Sequence, residues 1–340
     1  MEQLSFKSSI PEAKITAVEK ALQTAFNTTI IENIELLTGG LSGAIVYKII
    51  VGGKPYALRL IMRIDPLNDP VRQYTCMNIA AEAGIAPYVY YSSVENALSI
   101  TDFIDAKPLF GYSIVSDELL LKLVETIRAI HSTKLFPKLV NFLDGVDGFI
   151  AEFKASGLLS ERATEEHFSY YSQIQEVYPR YDTDLVSSHN DLMKNILFDG
   201  KKVWVIDWEV AFQNDRYVDL ATVANNFIST EAREEMFLKA YFGDSLDEYK
   251  RARFFLMQQV CHMFYAMIFM KFALKLQPKN SVCVLSMDTP RLREFYRQVG
   301  AREISLMSYE GQLLFGKVIL NEILHNMKTP KFTESINKMR

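Results

Sequence analysis

Two short apolar runs, Asn195–Phe198 and Val203–Ile206, lie on either side of an Asp199-Gly200 pair, with His189 and Asp191 just before the first and Asp207 and Glu209 just after the second. An Asp-Gly pair between two strand-forming runs reads as a β-hairpin. Closing that hairpin brings its open end together, so Asn195 meets Asp207, with Asp191 one loop away. No other stretch constrains the fold as strongly, because it gathers three polar side chains around one turn between two apolar strands.

Those side chains suit one chemistry. Transfer of a phosphoryl group to a hydroxyl needs a carboxylate to orient the hydroxyl and take its proton, and divalent cations to neutralise the phosphates. Asp191 suits the first task. Magnesium prefers hard oxygen ligands and keeps several waters, so one carboxylate and one amide oxygen suffice beside the phosphates. Asp207 and Asn195 supply that pair.

The segment S-H-N-D-L-M-K-N-I-L, followed by I-D-W-E, Asn214 and the D-L-A at Asp219–Ala221, resembles the choline/ethanolamine kinase branch of the aminoglycoside phosphotransferase superfamily. The likeness is strong over about 189–226 and recognisable over about 37–108. It implies a protein-kinase-like fold, ATP and Mg²⁺ as cofactors, Asp191 as catalytic base, and Asn195 and Asp207 as metal ligands. It also implies that Glu209 is the acid placed after I-D-[FW], available to a substrate or a second metal, and that Asp219 pins the catalytic loop from below. His189 is read as a support of the same loop, since a lone histidine before an aspartate is more often a hydrogen-bonded scaffold than an acid or base. The family leaves four residues between the loop aspartate and asparagine, whereas only Leu192, Met193 and Lys194 intervene here. One extended residue spans roughly 3.3 Å, so the metal pair is expected to survive and the base to be re-aimed.

Upstream, Ile10–Phe26 repeats apolar residues at helical spacing. Ile34–Leu37, Ile45–Val51 and Pro55–Met62 are strand-like runs separated by G-G-L-S-G and by Gly52-Gly53. Asp69–Ala83 reads as a helix ending at Gly84, with strands at Tyr88–Ser92 and Leu98–Phe103 after it. Gly39, Gly40 and Gly43 let a backbone approach phosphates closely, and Ser42 adds a hydroxyl; a plain hairpin turn is the competing reading. By the resemblance, Arg59 is the phosphate-binding cation. Gln73 stands where the family has that cation's glutamate partner, so the ion pair becomes a neutral contact. The same resemblance makes the stretch from Asp102 to Ile104 the hinge whose backbone reads adenine. The expected division is a nucleotide-binding lobe over 1–104 and a catalytic and substrate lobe over 105–340.

Beyond the hinge, helices are expected at Ser116–His131, Gly145–Ala155, Leu220–Phe242 and Lys250–Leu276. The last carries Phe254, Phe255, Phe264, Tyr265, Phe269 and Phe272. Aromatic faces can bind a quaternary ammonium, but aromatics at three- and four-residue spacing pack a helix into a core, and that is the reading taken. The tryptophans that choline kinases carry on the corresponding helix are absent; Trp204, read as core, and Trp208 are the only two. A tail from about 286 carries helices at Pro290–Val299 and Glu310–His325. It is expected to pack on the large lobe, lining the acceptor pocket or a dimer contact, so a homodimer stays open.

At 340 residues, 49% hydrophobic and 23% charged, the chain can bury a large core in two lobes. A net charge of −4 offers no basic field for nucleic acid or an anionic membrane. The expected partner is therefore a small-molecule alcohol, with no nucleic acid and no membrane. The N-terminus lacks the apolar core of a signal peptide, and no apolar run reaches roughly 18 residues. Cys76, Cys261 and Cys283 are scattered and read as reduced thiols of a cytoplasmic protein. The fold class expected is α+β: a bilobal protein-kinase-like fold with a small antiparallel β-sheet N-lobe and a larger, mainly helical C-lobe. The function expected is ATP- and Mg²⁺-dependent phosphorylation of a small cationic metabolite such as choline or ethanolamine. An aminoglycoside-type antibiotic kinase and a nucleotide-binding regulatory protein are the alternatives. A protein kinase fits less well, because H-N-D and I-D-W stand in place of H-R-D and D-F-G and no A-P-E follows.

Overall fold

The computed structural model describes residues 6–37, 43–66, 68–106, 108–109, 115–181, 184–279 and 286–340. Gly39, Gly40, Ser42 and Cys283 lie outside them. In chain order the first elements are α1 (Ile15–Phe26), β1 (Asn33–Leu37), β2 (Ala44–Val51), β3 (Lys54–Ile61), α2 (Pro70–Glu82), β4 (Val89–Ser93) and β5 (Leu98–Asp102). The strands form one antiparallel sheet in the order β1-β2-β3-β5-β4. Gly52 and Gly53, at φ 57° and 73°, make the two-residue turn between β2 and β3. Positive φ at both positions matches the right-handed twist of the strands, and glycine adopts it without a Cβ clash. Leu58 and Leu60 of β3 are fully buried with Ile49, Leu98, Ile100 and the α1 residues Val18, Ala21 and Leu22. The period of two then turns Arg59 to the opposite face.

Next come α3 (Asp117–His131), α4 (Phe142–Ser156), α5 (Glu161–Val177), β6 (Leu185–Ser188), β7 (Ile196–Phe198), β8 (Val203–Val205) and β9 (Phe212–Asp215). The chain ends with α6 (Arg216–Phe227), α7 (Glu231–Phe242), α8 (Glu248–Leu276), α9 (Leu292–Gly300), α10 (Tyr309–Met327) and α11 (Pro330–Met339). Two compact units divide it: Met1–Leu109, Thr126–Lys138 and Val186–Gln213 in one, and Phe110–Glu125, Leu139–Leu185 and Asn214–Arg340 in the other. The fold is α+β, with an antiparallel sheet in the first unit and helices dominating the second.

The second unit is organised on α8, against which α4, α6, α10 and α11 pack. A 29-residue helix buried through most of its middle needs such a surround. Phe254 and Phe269 are buried; the Phe269 ring lies 4.4 Å from Phe315 of α10, and Phe264 lies 5.4 Å from Phe142 of α4. The aromatic stripe is thus core. Arg253 of α8 is buried as well, pairing with Asp215 at 2.8 Å, and Asp215 also accepts from the Tyr178 hydroxyl at 2.8 Å. Cys76 in α2 and Cys261 in α8 are free, buried thiols. Among the described residues, no helix is long and apolar enough to cross a membrane.

Two local expectations are corrected, one on the helix after β9 and one on Trp204. The Leu220–Phe242 period is two helices: Thr230 caps α7, its hydroxyl accepting from Arg233 N at 3.3 Å, and the chain is extended at Ile228. The hairpin expected around Asp199-Gly200 is present: Phe198 pairs with Val203, which leaves a four-residue loop between β7 and β8. Asp199 organises that loop by accepting from Lys201 N at 2.9 Å and Lys202 N at 2.8 Å, as a turn aspartate does. Trp204 is half-buried under Lys202, with its indole N–H donating to Asp199 at 2.8 Å; the core tryptophan is Trp208, 4% exposed.

Candidate active site

Register sets the first side chain. Arg59 stands opposite Val46 of β2 and Ser99 of β5, central in the sheet. Its Nη1 donates to Gln73 Oε1 at 2.7 Å, while Nη2 donates to Asp207 Oδ1 at 3.0 Å and Glu209 Oε2 at 2.9 Å. Asp69 caps α2, accepting from Val71 N at 2.9 Å and Arg72 N at 3.4 Å, and so aims the first turn that carries Arg72 and Gln73. The neutral contact expected between Arg59 and Gln73 is present. The guanidinium charge is met instead by the two carboxylates that follow β8.

The loop after β6 is held largely by its own side chains. Buried His189 accepts from Asp191 N through Nδ1 at 3.3 Å, which leaves its Nε2–H to donate to the Ile206 carbonyl at 3.0 Å. Asn190 takes φ 66°, a left-handed conformation that asparagine tolerates better than most residues. Its amide donates to Ser188 O at 3.2 Å and Val210 O at 2.9 Å. Asn195 then reaches back over the three intervening residues, donating to the Asp191 carbonyl at 2.9 Å and to Asp191 Oδ2 at 3.0 Å. The shortened loop therefore keeps the asparagine on the aspartate.

Asp207 also takes the left-handed region, at φ 62° and ψ 70°. For a non-glycine residue this costs on the order of 1–2 kcal/mol and persists only where the surroundings enforce it. Here Ile206 N bonds Asn195 O at 3.0 Å on one side, and the buried Trp208 ring packs on His189 at 4.8 Å on the other. Arg72 adds a clamp that the sequence did not reveal. It is 3% exposed, and donates to Glu209 O at 2.7 Å and Pro66 O at 2.9 Å. Neither it nor Asn190 was singled out from sequence; the asparagine within H-N-D was the one available signal.

Burial lifts Glu209 above the ordinary carboxylate range; Asp207 adds to the effect, Arg59 opposes it, and Asp191 adds further. Crowded carboxylates share one guanidinium, which is the field a cation would enter. Among the described residues, no group of three or more His, Cys, Asp or Glu forms a ready-made metal cage. The donor set nevertheless fits magnesium: the Asn195 amide nitrogen is engaged on Asp191, which turns its oxygen away from that contact, and Asp207 offers a second hard oxygen.

Asp102 ends β5 opposite Tyr56, and its carboxylate accepts from the Tyr90 hydroxyl at 3.0 Å. Ile104 accepts from Ala106 N at 2.9 Å. At Gly43 an added Cβ would meet nothing within 4 Å, so packing does not demand glycine there. Asp219 is fully buried in the first turn of α6, in the helical unit. Arg59, Gln73, Asp102, Ile104, His189, Asp191, Asn195, Asp207 and Glu209 all belong to the first unit.

Comparison with known proteins finds the same fold elsewhere. A choline/ethanolamine kinase family protein from Mesorhizobium loti superposes with a TM-score of 0.64 at 18% identity, covering 96% of this chain and 99% of that one. A spectinomycin phosphotransferase solved with ADP and spectinomycin gives a TM-score of 0.56 at 12% identity, covering 95% and 97%. At those identities the likeness is one of fold. An uncharacterized protein from Metamycoplasma hominis is 40% identical over 55 residues, which are 16% of this chain and 11% of that protein's length. The phosphotransferase enzyme family matches residues 33–255, a stretch that takes in every site residue described above. With more than half its length matched, the chain belongs to the phosphotransferase enzyme family.

Proposed function

We propose that this phosphotransferase moves the γ-phosphoryl group of ATP, presented with Mg²⁺, to a hydroxyl of a small cationic metabolite such as choline or ethanolamine. The observation that carries the reading is the Asn195 amide on Asp191 beside the Arg59–Asp207–Glu209 cluster. In it Asp191 orients the acceptor hydroxyl and takes its proton. The Asn195 amide oxygen and Asp207 hold the metal, which when bound neutralises charge on the phosphates. Arg59 grips phosphate oxygens with its fork of donors, together with Gly39, Gly40, Ser42 and Gly43. The backbone from Asp102 to Ile104 receives adenine. Glu209 attracts the acceptor's positive charge or a second metal, and His189 keeps the loop in place.

An aminoglycoside acceptor is the second reading, supported by the fold likeness to the spectinomycin phosphotransferase. The test is product analysis by mass spectrometry after incubation with Mg·ATP and choline, ethanolamine, thiamine or spectinomycin in turn. A phosphomonoester of choline or ethanolamine supports the first reading, and one of spectinomycin the second. Nucleotide binding with no phosphorylated product across the panel would leave a regulatory protein and overturn both.

A further inference from the structure

Three consecutive carbonyls follow Asp207 at a distance of two to four residues, and each accepts from a side chain. Glu209 O accepts from Arg72 Nη2 at 2.7 Å, Val210 O from the Asn190 amide at 2.9 Å, and Ala211 O from the Cys76 thiol at 3.5 Å. Arg72 and Cys76 stand four residues apart on α2, so one face of that helix reaches the segment. Asn190 reaches it from the loop after β6. All of these residues belong to the first unit. The segment itself is a single 3₁₀ turn, Trp208–Val210, closed by Ala211 N on Trp208 O at 3.3 Å. One such turn makes few bonds of its own, so the side-chain donors decide where it sits.

The tethers differ in what a nucleotide does to them. Arg59 holds the Asp207 and Glu209 carboxylates directly, but phosphate oxygens offer it another anionic partner, and that tether loosens as they arrive. The bonds to the three carbonyls take up no carboxylate, so they stay in place when a ligand engages Asp207. Arg72 is the strongest of them. Its donor is charged, and charge-assisted hydrogen bonds are roughly twice as strong as neutral ones. The Cys76 thiol, which burial pushes up to about 12 and so keeps protonated, is a weak donor. The second arm of the Arg72 fork, Nη1 on Pro66 O at 2.9 Å, anchors the guanidinium to the segment before α2. Its neighbour Gln73 accepts from Arg59 Nη1 at 2.7 Å. Consecutive residues in the first turns of α2 therefore hold the backbone after Asp207 and the arginine assigned to phosphate.

We propose that Arg72 is a positioning residue that keeps Asp207 directed at the metal once nucleotide has drawn Arg59 away, a role that rests on the kinase reading above. The left-handed backbone of Asp207 makes the position sensitive, because such a conformation persists only while its surroundings enforce it. Released at Glu209 O, the turn is free to relax, and the carboxylate moves with it.

Mn²⁺ titrated onto the full chain saturated with a non-hydrolysable ATP analogue, with water-proton relaxation reading the ternary complex, tests the role without turnover. Arg72→Met keeps a long apolar stem and removes the donors; it should weaken Mn²⁺ at least about tenfold, with analogue binding in the absence of metal changed by less than about twofold. Arg72→Lys keeps the charge but gives up the planar fork, and should weaken Mn²⁺ at least about threefold. The lysine variant decides the matter if the methionine variant does not fold. Unchanged Mn²⁺ affinity in a folded variant would overturn the role of Arg72, as would metal-free analogue binding that falls as far as Mn²⁺ binding does. An unsubstituted chain that forms no ternary complex would overturn the metal assignment of Asn195 and Asp207, and this role with it. The two failures are thus read from different proteins.

Discussion

Arg59 and Asp207 are joined by an ion pair of 3.0 Å, and the same Nη2 also reaches Glu209 at 2.9 Å. The arginine assigned to phosphate therefore lies, in the free protein, on the carboxylate assigned to metal. On its other side the guanidinium meets Gln73, which is neutral and does not compete for its charge.

The first prediction follows from that geometry. A divalent ion arriving alone at Asp207 would meet a guanidinium, whereas nucleotide phosphates give Arg59 another anionic partner, so metal and nucleotide should bind cooperatively. Arg59→Gln is expected to tighten Mn²⁺ binding to the nucleotide-free protein by about tenfold and to weaken ATP, about 1.4 kcal/mol for the metal. Calorimetry with metal alone and with ATP checks both arms. Unchanged metal affinity would count against the coupling.

Asn195 has two tasks, steering Asp191 and offering oxygen to metal. Asn195→Ala should lower kcat by roughly 100-fold and raise the Mg²⁺ concentration needed for half-maximal rate, since a mispositioned acid–base group typically loses 10²–10⁴. Steady-state rates over a Mg²⁺ titration read both effects. A fall in kcat with the Mg²⁺ dependence intact would leave Asn195 as a positioning residue alone.

How much of this was legible in sequence depends on range. Asp69, the α2 run and Gly84 were readable because caps and helical period are local signals, and Gly52-Gly53 marks its turn for the same reason. The break between α6 and α7 was hidden because apolar residues continue through Ile228, and only the Thr230 cap interrupts them. Trp204 reads as core in sequence but is half-buried, because alternation along β8 does not say which face is covered. Gathering of Asp191, Asn195 and Asp207 was legible from the hairpin. The Arg72 clamp on Glu209 O, 137 residues away, leaves no pattern in a single chain.

Stability of the helical unit should depend on Arg253, whose side chain is 8% exposed on Asp215 at 10%. Removing one member of a buried pair leaves the other charged and unpaired, a cost of about 3–5 kcal/mol. Arg253→Met should destabilise by that amount in urea unfolding, and Arg253→Met combined with Asp215→Asn should recover part of it. A loss below about 1 kcal/mol would contradict the pair's importance.

Acid should weaken the fold through its buried histidines. Burial lowers His262 from 6.5 to about 4, and burial lowers His167 in the same direction. Between those values the unfolded chain binds more protons than the folded one. The stability is therefore fully present above about pH 6.5 and is lost as pH falls toward 4. From pH 7 to 5 the His262 share is on the order of 2 kcal/mol. Urea midpoints at the two pH values, with His262→Gln as comparison, measure it; an equal drop in that variant would assign the acid sensitivity elsewhere.

Acceptor-dependent ADP release from Mg·ATP, measured with the intact chain and with Asp191→Ala against choline and ethanolamine, tests Asp191 as the base most directly. Release should require acceptor and fall by at least about 1,000-fold in the variant while ATP still binds. Equal turnover in the two proteins would remove Asp191 as the base.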